Sequence, residues 1–376
     1  MNAINKNQMT GAIFLDLTKA FDLVNHNLLI EKLTAYRFSS LTISLLSSYL
    51  EKRSQYVYVN GKSSSKGIIK RGVPQGSILG PILFSLFIND LPLHISCPNV
   101  TCSLFADDCS LDMSSPDLNC ITSSLQASLD EISDWSTHNE MIPNPSKTTC
   151  MLITTRQKHQ LKPPSLSLTL SSKPVEQVRH QRVLGITIDD RLCWQVHTER
   201  LCKSISKNLF LLTKLKYLTD EPTRKLFYLT HIQPHINYIS TAWDGASENN
   251  LKNVNSLHRR AIKLIAWTSN LLPTTDAKFE YLKIFPLKTQ FTYNKLVFMY
   301  KITNNLSPPY LSQLFKLRDT PYEALWGNLT VPTPRIDLYK SSLLYSGSKL
   351  WNELPKSIKY APSLSSFKNR LELFLR

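Results

Sequence analysis

Glycine is scarce in this sequence, with only 10 among 376 residues, whereas about 7% of an average protein is glycine. Three of the ten, Gly72, Gly76 and Gly80, nevertheless fall within nine consecutive residues. Because glycine adopts backbone conformations that other residues avoid, this segment is predicted to contain tight turns or a close approach of the backbone to another group.

Long apolar runs and paired cysteines are lacking as well. Residues 81–88, one of the longest apolar stretches, fall far short of the roughly 20 residues that a membrane span needs, and the N-terminal residues show no signal-peptide core. The seven cysteines include no C-x-x-C pair with a matching His or Cys pair, which argues against a zinc site or a disulfide framework. We therefore expect an intracellular protein of the cytoplasm, the nucleus or both, with no membrane segment.

Positive charge is abundant but unevenly distributed. Residues 201–376 carry 25 Lys and Arg against 11 Asp and Glu, whereas residues 1–200 carry 19 against 17. A positive field concentrated in one half of a chain suits a phosphate backbone, to which binding is largely electrostatic. A solvated basic surface without a ligand explains the same charge equally well.

The order of apolar patterns predicts a mixed α+β protein. The apolar run at 11–15 ends in Asp16 and is typical of a core strand that leads into a helix. Residues 101–111 are typical of a hairpin with an acidic pair at its turn, and residues 118–135 of an amphipathic helix. The other predicted elements are strands at 55–60, 67–70 and 148–154, a loop or hairpin at 157–173, mainly helix over 202–306 and a C-terminal helix at 367–375.

Three aspartates, Asp16, Asp107 and Asp108, would share one site if the strands that carry them are neighbours. Transfer of a phosphoryl group is commonly assisted by two divalent cations about 3.5–4 Å apart, and Mg²⁺ prefers hard oxygen ligands such as carboxylates. An Asp after a strand is also a common helix cap, and an Asp pair is common in turns. Spacing alone therefore leaves both interpretations open.

Five ordered segments favour the catalytic interpretation. They are GAIFLDLTKAFDLVNH from Gly11, RGVPQGSILGPILFSLFINDL from Arg71, LFADDCSL from Leu104, NPSKTTCMLI from Asn144 and VLGITIDDRLCWQVH from Val183. In this order they resemble the successive palm motifs of the reverse transcriptase of non-LTR (LINE-type, jockey/CR1-like) retrotransposons. The resemblance covers residues 10 to about 200 and implies an RNA-directed DNA polymerase that transfers deoxynucleotides to a primer 3′-hydroxyl.

The resemblance also implies which residues bind metal. Asp16, Asp107 and Asp108 would be the catalytic carboxylates that hold two Mg²⁺ ions, with Mn²⁺ as a substitute and Asp108 less directly engaged. The backbone carbonyl of Leu17 would be a further metal ligand.

Other motif residues would bind the substrate. Phe21 would place a ring against a ribose 2′-hydroxyl and so favour deoxynucleotides, although composition alone favours an ordinary core phenylalanine. Pro74, Gln75 and Gly76 would let the backbone approach the incoming nucleotide and the template. Lys147 would lie near the triphosphate and donate a proton to pyrophosphate.

The implied architecture is a right-hand polymerase. It would consist of an antiparallel palm sheet backed by helices with partial fingers at 1–190, a helical thumb or connection at 191–306 and a basic C-terminal region at 307–376. Template RNA, a DNA primer and dNTPs would be the partners. The family places fingers before the first palm aspartate, so we expect a truncated copy with most of the fingers absent. Poor polymerisation is then expected, because positive charge around the phosphates supplies much of the catalysis.

Three alternatives remain open from the sequence. The first is an inactive truncated copy that at most binds nucleic acid. The second is an RNA-dependent RNA polymerase, against which the ring of Phe21 argues. The third is a metal-dependent nuclease, which would use three aspartates but would not require Phe21 and Gln75 beside them.

Overall fold

The structure is a computed structural model that describes residues 1–155, 165–267, 272–319, 322 and 327–376. Residues 7–179 form one unit, and residues 1–6 together with 180–376 form a second. This division differs from the expected boundaries at 190 and 306, which remain predictions. No helix in these residues combines the length and the apolar character that a bilayer crossing requires.

A five-stranded sheet forms the centre of the first unit, and its strands are, in spatial order, β11 (Glu176–Gln177), β8 (Thr149–Ile153), β1 (Met9–Leu15), β7 (Asp108–Ser115) and β6 (Val100–Phe105). Strand β1 is mostly buried and pairs antiparallel with both β7 and β8. At the edges, β6 is antiparallel to β7, whereas β11 is parallel to β8. The predicted hairpin and the predicted strands at 11–15 and 148–154 are therefore confirmed.

The long helix α7 (Leu118–His138) packs on this sheet. Its stripe at spacings of three and four is buried from Ile121 to Trp135, as predicted. The close packing depends on Gly11 of β1, because a Cβ at that position would lie 2.5 Å from Cγ2 of Ile121. The other helices of the unit are α2 (Ala20–Leu23), α3 (His26–Ala35), α4 (Ser40–Leu50), α5 (Leu79–Ile88) and α6 (Leu91–His94).

The two strands predicted at 55–60 and 67–70 are broken into four short ones. Strand β2 (Ser54–Gln55) pairs with β5 (Gly67–Ile68), and β3 (Tyr58–Val59) pairs with β4 (Lys62–Ser63). All four are exposed on both faces, so no core packing extends the pairing. Within the excursion predicted at 157–173, residues 157–164 lie outside the described part, and β9 (Thr169–Leu170) forms a hairpin with β10 (Lys173–Pro174).

The second unit is mainly helical, as predicted for 202–306. It begins with α1 (Asn2–Asn5) and continues with the hairpin of β12 (His180–Val183) and β13 (Ile186–Asp189). Two apolar cores hold its helices together. The helices are α8 (Gln195–Leu215), α9 (Glu221–His231), α10 (Gln233–Asn237), α11 (Ser240–Trp243), α12 (Glu248–Ile265), α13 (Thr275–Tyr281), α14 (Leu287–Thr303), α15 (Pro309–Ser312), α16 (Asp337–Lys340), a π-helix (Leu343–Gly347), α17 (Ser348–Glu353), α18 (Lys356–Lys359) and α19 (Leu364–Leu375).

Candidate active site

The pairing of β1 with β7 brings the first and third predicted motifs together. Leu15 is the last residue of β1 and pairs with Cys109. Asp16 follows Leu15 and Asp108 precedes Cys109, so the antiparallel register sets these two aspartates at the same level of neighbouring strands. Asp16 and Asp107 are 91 positions apart in the sequence, but this distance along the chain does not separate them in the fold.

A tight turn joins β6 to β7 and carries the acidic pair. Phe105 pairs with Asp108, which leaves Ala106 and Asp107 as the two turn residues. Ala106 has a φ of +52°, a left-handed conformation that costs a non-glycine residue on the order of 1 kcal/mol. Asp107 thus lies in the turn itself, whereas Asp108 is the first residue of β7, a finer placement than the sequence predicted.

Two hydrogen bonds of one serine fix the conformation of the glycine-rich segment immediately before α5. The hydroxyl of Ser77 donates to the Pro74 carbonyl at 2.8 Å and accepts from the Gly80 amide at 2.9 Å. A Cβ on Gly80 would lie 2.3 Å from the Pro74 oxygen, so only glycine permits this approach. This close contact between Gly80 and Pro74 fixes the turn that carries Gln75.

Phe21 lies next to this turn on the short helix α2. Its ring stacks on that of Phe84 from α5, with centroids 4.3 Å apart. The Nε2 atom of Gln75 donates to Oδ1 of Asp22 at 3.0 Å. The second motif is thereby joined to the first through both a ring contact and a hydrogen bond.

Most of the predicted site residues line one cavity. Its volume of about 680 Å³ is typical of small-molecule sites. Seven of the nine predicted residues line it: Asp16, Leu17, Phe21, Gln75, Gly76, Asp107 and Lys147. Pro74 and Asp108 are not among the lining residues. The lining residues that sequence reasoning missed are Thr18, Lys19, Ala20, Pro81 and Asn144.

Asn144 and Thr148 hold Asp16 from the other side of β1. The amide of Asn144 donates to the Asp16 carbonyl at 2.8 Å, and the Asp16 amide donates to Oγ1 of Thr148 at 3.2 Å. Both residues belong to the NPSKTT segment, in which the family resemblance implies a role for Lys147 alone. Its polar residues before an apolar strand were the available signal for this contact.

The charges of Asp16 and Asp107 act on the carboxyl group of Asp108. The pKa of Asp108 is raised, mainly by burial and further by the charges of Asp107 and Asp16. A divalent cation would relieve this repulsion, so the donor set fits Mg²⁺ in charge and ligand type. Within the described ranges, no three acidic, His or Cys side chains form a metal site by themselves. Mg²⁺ commonly takes only one or two carboxylates and completes its shell with phosphates and water, which is compatible with this arrangement.

Comparison with known proteins identifies the family. Residues 2–188 match the family described as "Reverse transcriptase (RNA-dependent DNA polymerase)". The chain is 30% identical over 277 residues to the "Probable RNA-directed DNA polymerase from transposon BS" of Drosophila melanogaster, covering 70% of this chain and 30% of that protein. It is 28% identical over 284 residues to the "RNA-directed DNA polymerase from mobile element jockey" of the same species, with coverages of 72% and 30%. The chain belongs to the reverse transcriptase family, in its non-LTR retrotransposon branch, which confirms the resemblance found in the sequence.

The chain spans about 30% of the length of these curated relatives. Among solved structures, apo telomerase from Candida tropicalis is similar with a TM-score of 0.38 and 13% identity, covering 76% of this chain and 46% of that one.

Proposed function

We propose that this chain carries the palm of a right-hand polymerase and catalyses RNA-directed DNA synthesis by metal-assisted nucleotidyl transfer. The observation that supports this most strongly is the cavity, because four segments distant in sequence contribute to it. Asp16, Gln75, Asp107 and Lys147 each come from a different one of the family motifs. Template RNA, a DNA primer end and dNTPs would be the substrates, inside the cell.

Asp16 and Asp107 would hold Mg²⁺ at the cavity wall, with Asp108 and the Leu17 carbonyl beside them. When bound, a pair of such ions activates the attacking hydroxyl and stabilises the charge of the leaving pyrophosphate. Basic residues of the chain would supply the positive charge that the reaction also needs. Lys19 and Lys147 both line the cavity and offer positive charge to the triphosphate. Acidic and basic side chains therefore line the same cavity, as phosphoryl transfer requires.

Phe21 would select the sugar. Its ring lines the cavity and rests on Phe84, a fully buried residue. A supported ring cannot move aside easily, so a ribose 2′-hydroxyl would meet it where a deoxyribose would not. This contact favours a DNA polymerase over the RNA polymerase alternative.

Primer extension tests the proposal. An RNA template with an annealed DNA primer, Mg²⁺ and dNTPs should give weak extension by the 376-residue chain, in keeping with the poor polymerisation expected from its sequence, and this extension should disappear in Asp107→Ala. Asp117→Ala is the matched control, because Asp117 caps α7 and is not among the residues that line the cavity. Extension that persists in Asp107→Ala would contradict the proposed site.

A second candidate function is nucleic-acid binding without catalysis. It is favoured by the excess of positive charge in residues 201–376. Binding of an RNA–DNA duplex that weakens steeply with salt, in a chain that adds no nucleotide with either Mg²⁺ or Mn²⁺, would support it over polymerisation.

A further inference from the structure

Two backbone hydrogen bonds join the segment that follows Asp16 to the glycine-rich turn. The amide of Gly72 donates to the Val24 carbonyl at 2.7 Å, and the amide of Val73 donates to the Phe21 carbonyl at 2.8 Å. The approach is close, since a Cβ on Gly72 would lie 2.8 Å from both the Cα and the carbonyl oxygen of Asp22. The backbone alone therefore sets where Asp22 and Gln75 lie relative to each other.

The side chains of Asp22 and Gln75 then meet across this junction. Nε2 of Gln75 donates to Oδ1 of Asp22 at 3.0 Å. An ionised carboxylate only accepts hydrogen bonds, so the amide nitrogen of Gln75 must face Asp22. Gln75 lines the cavity of about 680 Å³, whereas Asp22 is not among the residues that line it.

We propose that Asp22 is a positioning residue that fixes the orientation of the Gln75 carboxamide and so determines which of its atoms the nucleotide meets. With the nitrogen directed to Asp22, Gln75 presents its Oε1 acceptor to the cavity. A carboxamide without this partner can rotate by half a turn and present a donor instead. The inference rests on the proposed function, because it assigns the bound group to a deoxynucleotide that carries a hydrogen-bond donor.

The role concerns orientation more than stability. Both side chains are exposed, and a hydrogen bond at an exposed position contributes little to folding. The bonds at Gly72 and Val73 remain when Asp22 is replaced, so Asp22→Ala is expected to fold. This separates the positioning role from a structural one.

Nuclear magnetic resonance of the full chain tests the contact without requiring activity. The side-chain amide signals of Gln75, assigned by their loss in Gln75→Ala, should be shifted from those of a free carboxamide. In Asp22→Ala they should move to free values, and in Asp22→Asn, which keeps an acceptor, they should stay shifted. Signals that are unchanged by Asp22→Ala would overturn the proposal.

Calorimetric titration with dATP and Mg²⁺ tests the consequence. Asp22→Ala should weaken dATP binding about fivefold, in line with one hydrogen bond, and Asp22→Asn should recover most of the affinity. In the double variant Asp22→Ala with Gln75→Ala, binding should equal that of Gln75→Ala alone, because Asp22 acts through Gln75. Effects that multiply would overturn the positioning role.

The dATP titration also needs a control variant and a measurement on the unmodified chain. Asp117→Ala removes another exposed carboxylate that accepts a backbone amide and should leave dATP affinity unchanged. Absence of dATP binding in the unmodified chain would overturn the proposed function, and with it the nucleotide-binding role of Asp22. The Gln75 amide signals would still show whether the hydrogen bond itself forms, so the two failures are distinguishable.

Discussion

The ring of Phe21 stacks on the ring of Phe84, with centroids 4.3 Å apart and planes inclined by 20°. Because Phe84 is fully buried, Phe21 has a firm support behind it at the cavity wall. Phe21→Ala should therefore reduce the preference for dATP over ATP by about tenfold, the scale of one steric contact in a pocket. The ratio of the two dissociation constants with Mg²⁺ measures this. Phe21→Tyr keeps the ring and should keep the preference for dATP. An unchanged ratio of dissociation constants in Phe21→Ala would contradict the proposed role of Phe21 in sugar selection.

Replacement of Gly11 should loosen the packing of α7 on the sheet. An added Cβ would lie 2.5 Å from Ile121 Cγ2 and 2.7 Å from Leu125 Cδ1, both in the buried stripe. Gly11→Ala is expected to lower the free energy of unfolding by about 1–3 kcal/mol, the usual cost of overpacking. Urea denaturation provides the measurement. Gly67→Ala is the control, because its Cβ would meet only the Gln55 carbonyl at 3.9 Å; equal effects of the two variants would contradict the packing argument.

Lys295 and Asp244 form a buried ion pair in the second unit. Their Nζ and Oδ2 atoms are 2.7 Å apart, and the side chains are only 7% and 6% exposed. Lys295→Met would leave the carboxylate buried without its cation and should cost about 3–5 kcal/mol, whereas adding Asp244→Leu should restore much of the loss. Lys288→Met, which breaks an exposed pair with Glu248, should cost at most about 1 kcal/mol. Equal unfolding free energies for the two Lys variants would contradict the expected difference between the buried and the exposed ion pair.

The stability of the second unit should fall in mild acid because of His258. Its Nε2 lies 2.8 Å from the Tyr228 hydroxyl, and burial, assisted by Arg259, lowers its pKa to about 4. Between pH 6.5 and 4 the unfolded chain binds a proton that the folded chain does not. His258 therefore leaves the free energy of unfolding unchanged above pH 6.5. As the pH is lowered towards 4, this free energy falls by about 3 kcal/mol in total.

The pH dependence can be assigned with matched variants. Denaturation of His258→Gln at pH 7, 5.5 and 4.5 should show a flatter profile than the unmodified chain. His235→Gln, at an exposed position, should keep the original slope. A slope that is unchanged in His258→Gln would assign the acid sensitivity to other groups.

Local patterns were sufficient to predict individual elements. The spacing of Ile121, Leu125 and Leu129 predicts α7 because a helix buries one stripe. The hairpin around Asp107 was predicted from its flanking strands and turn residues. The strands predicted at 55–60 and 67–70 were too long, because their alternating residues have no core to pack on and the pairing is interrupted.

Contacts between distant segments could not be predicted from local patterns. The position of β1 between β7 and β8 could not be predicted, because the residues of a strand do not determine which other strands pair with it. The contact between Asp22 and Gln75 depends on a junction that Gly72 permits, and no spacing rule links these positions. The ordered motifs predicted the residues of one candidate site only because the family resemblance supplied the long-range arrangement.

Asp16 and Asp107 are proposed to hold divalent metal at the cavity that they line together. Electron paramagnetic resonance of Mn²⁺ in the presence of a non-hydrolysable dATP analogue tests it most directly. The unmodified chain and Asp117→Asn should show bound Mn²⁺, whereas Asp16→Asn and Asp107→Asn should each weaken its binding at least tenfold. Equal Mn²⁺ binding in all four proteins would contradict the claim.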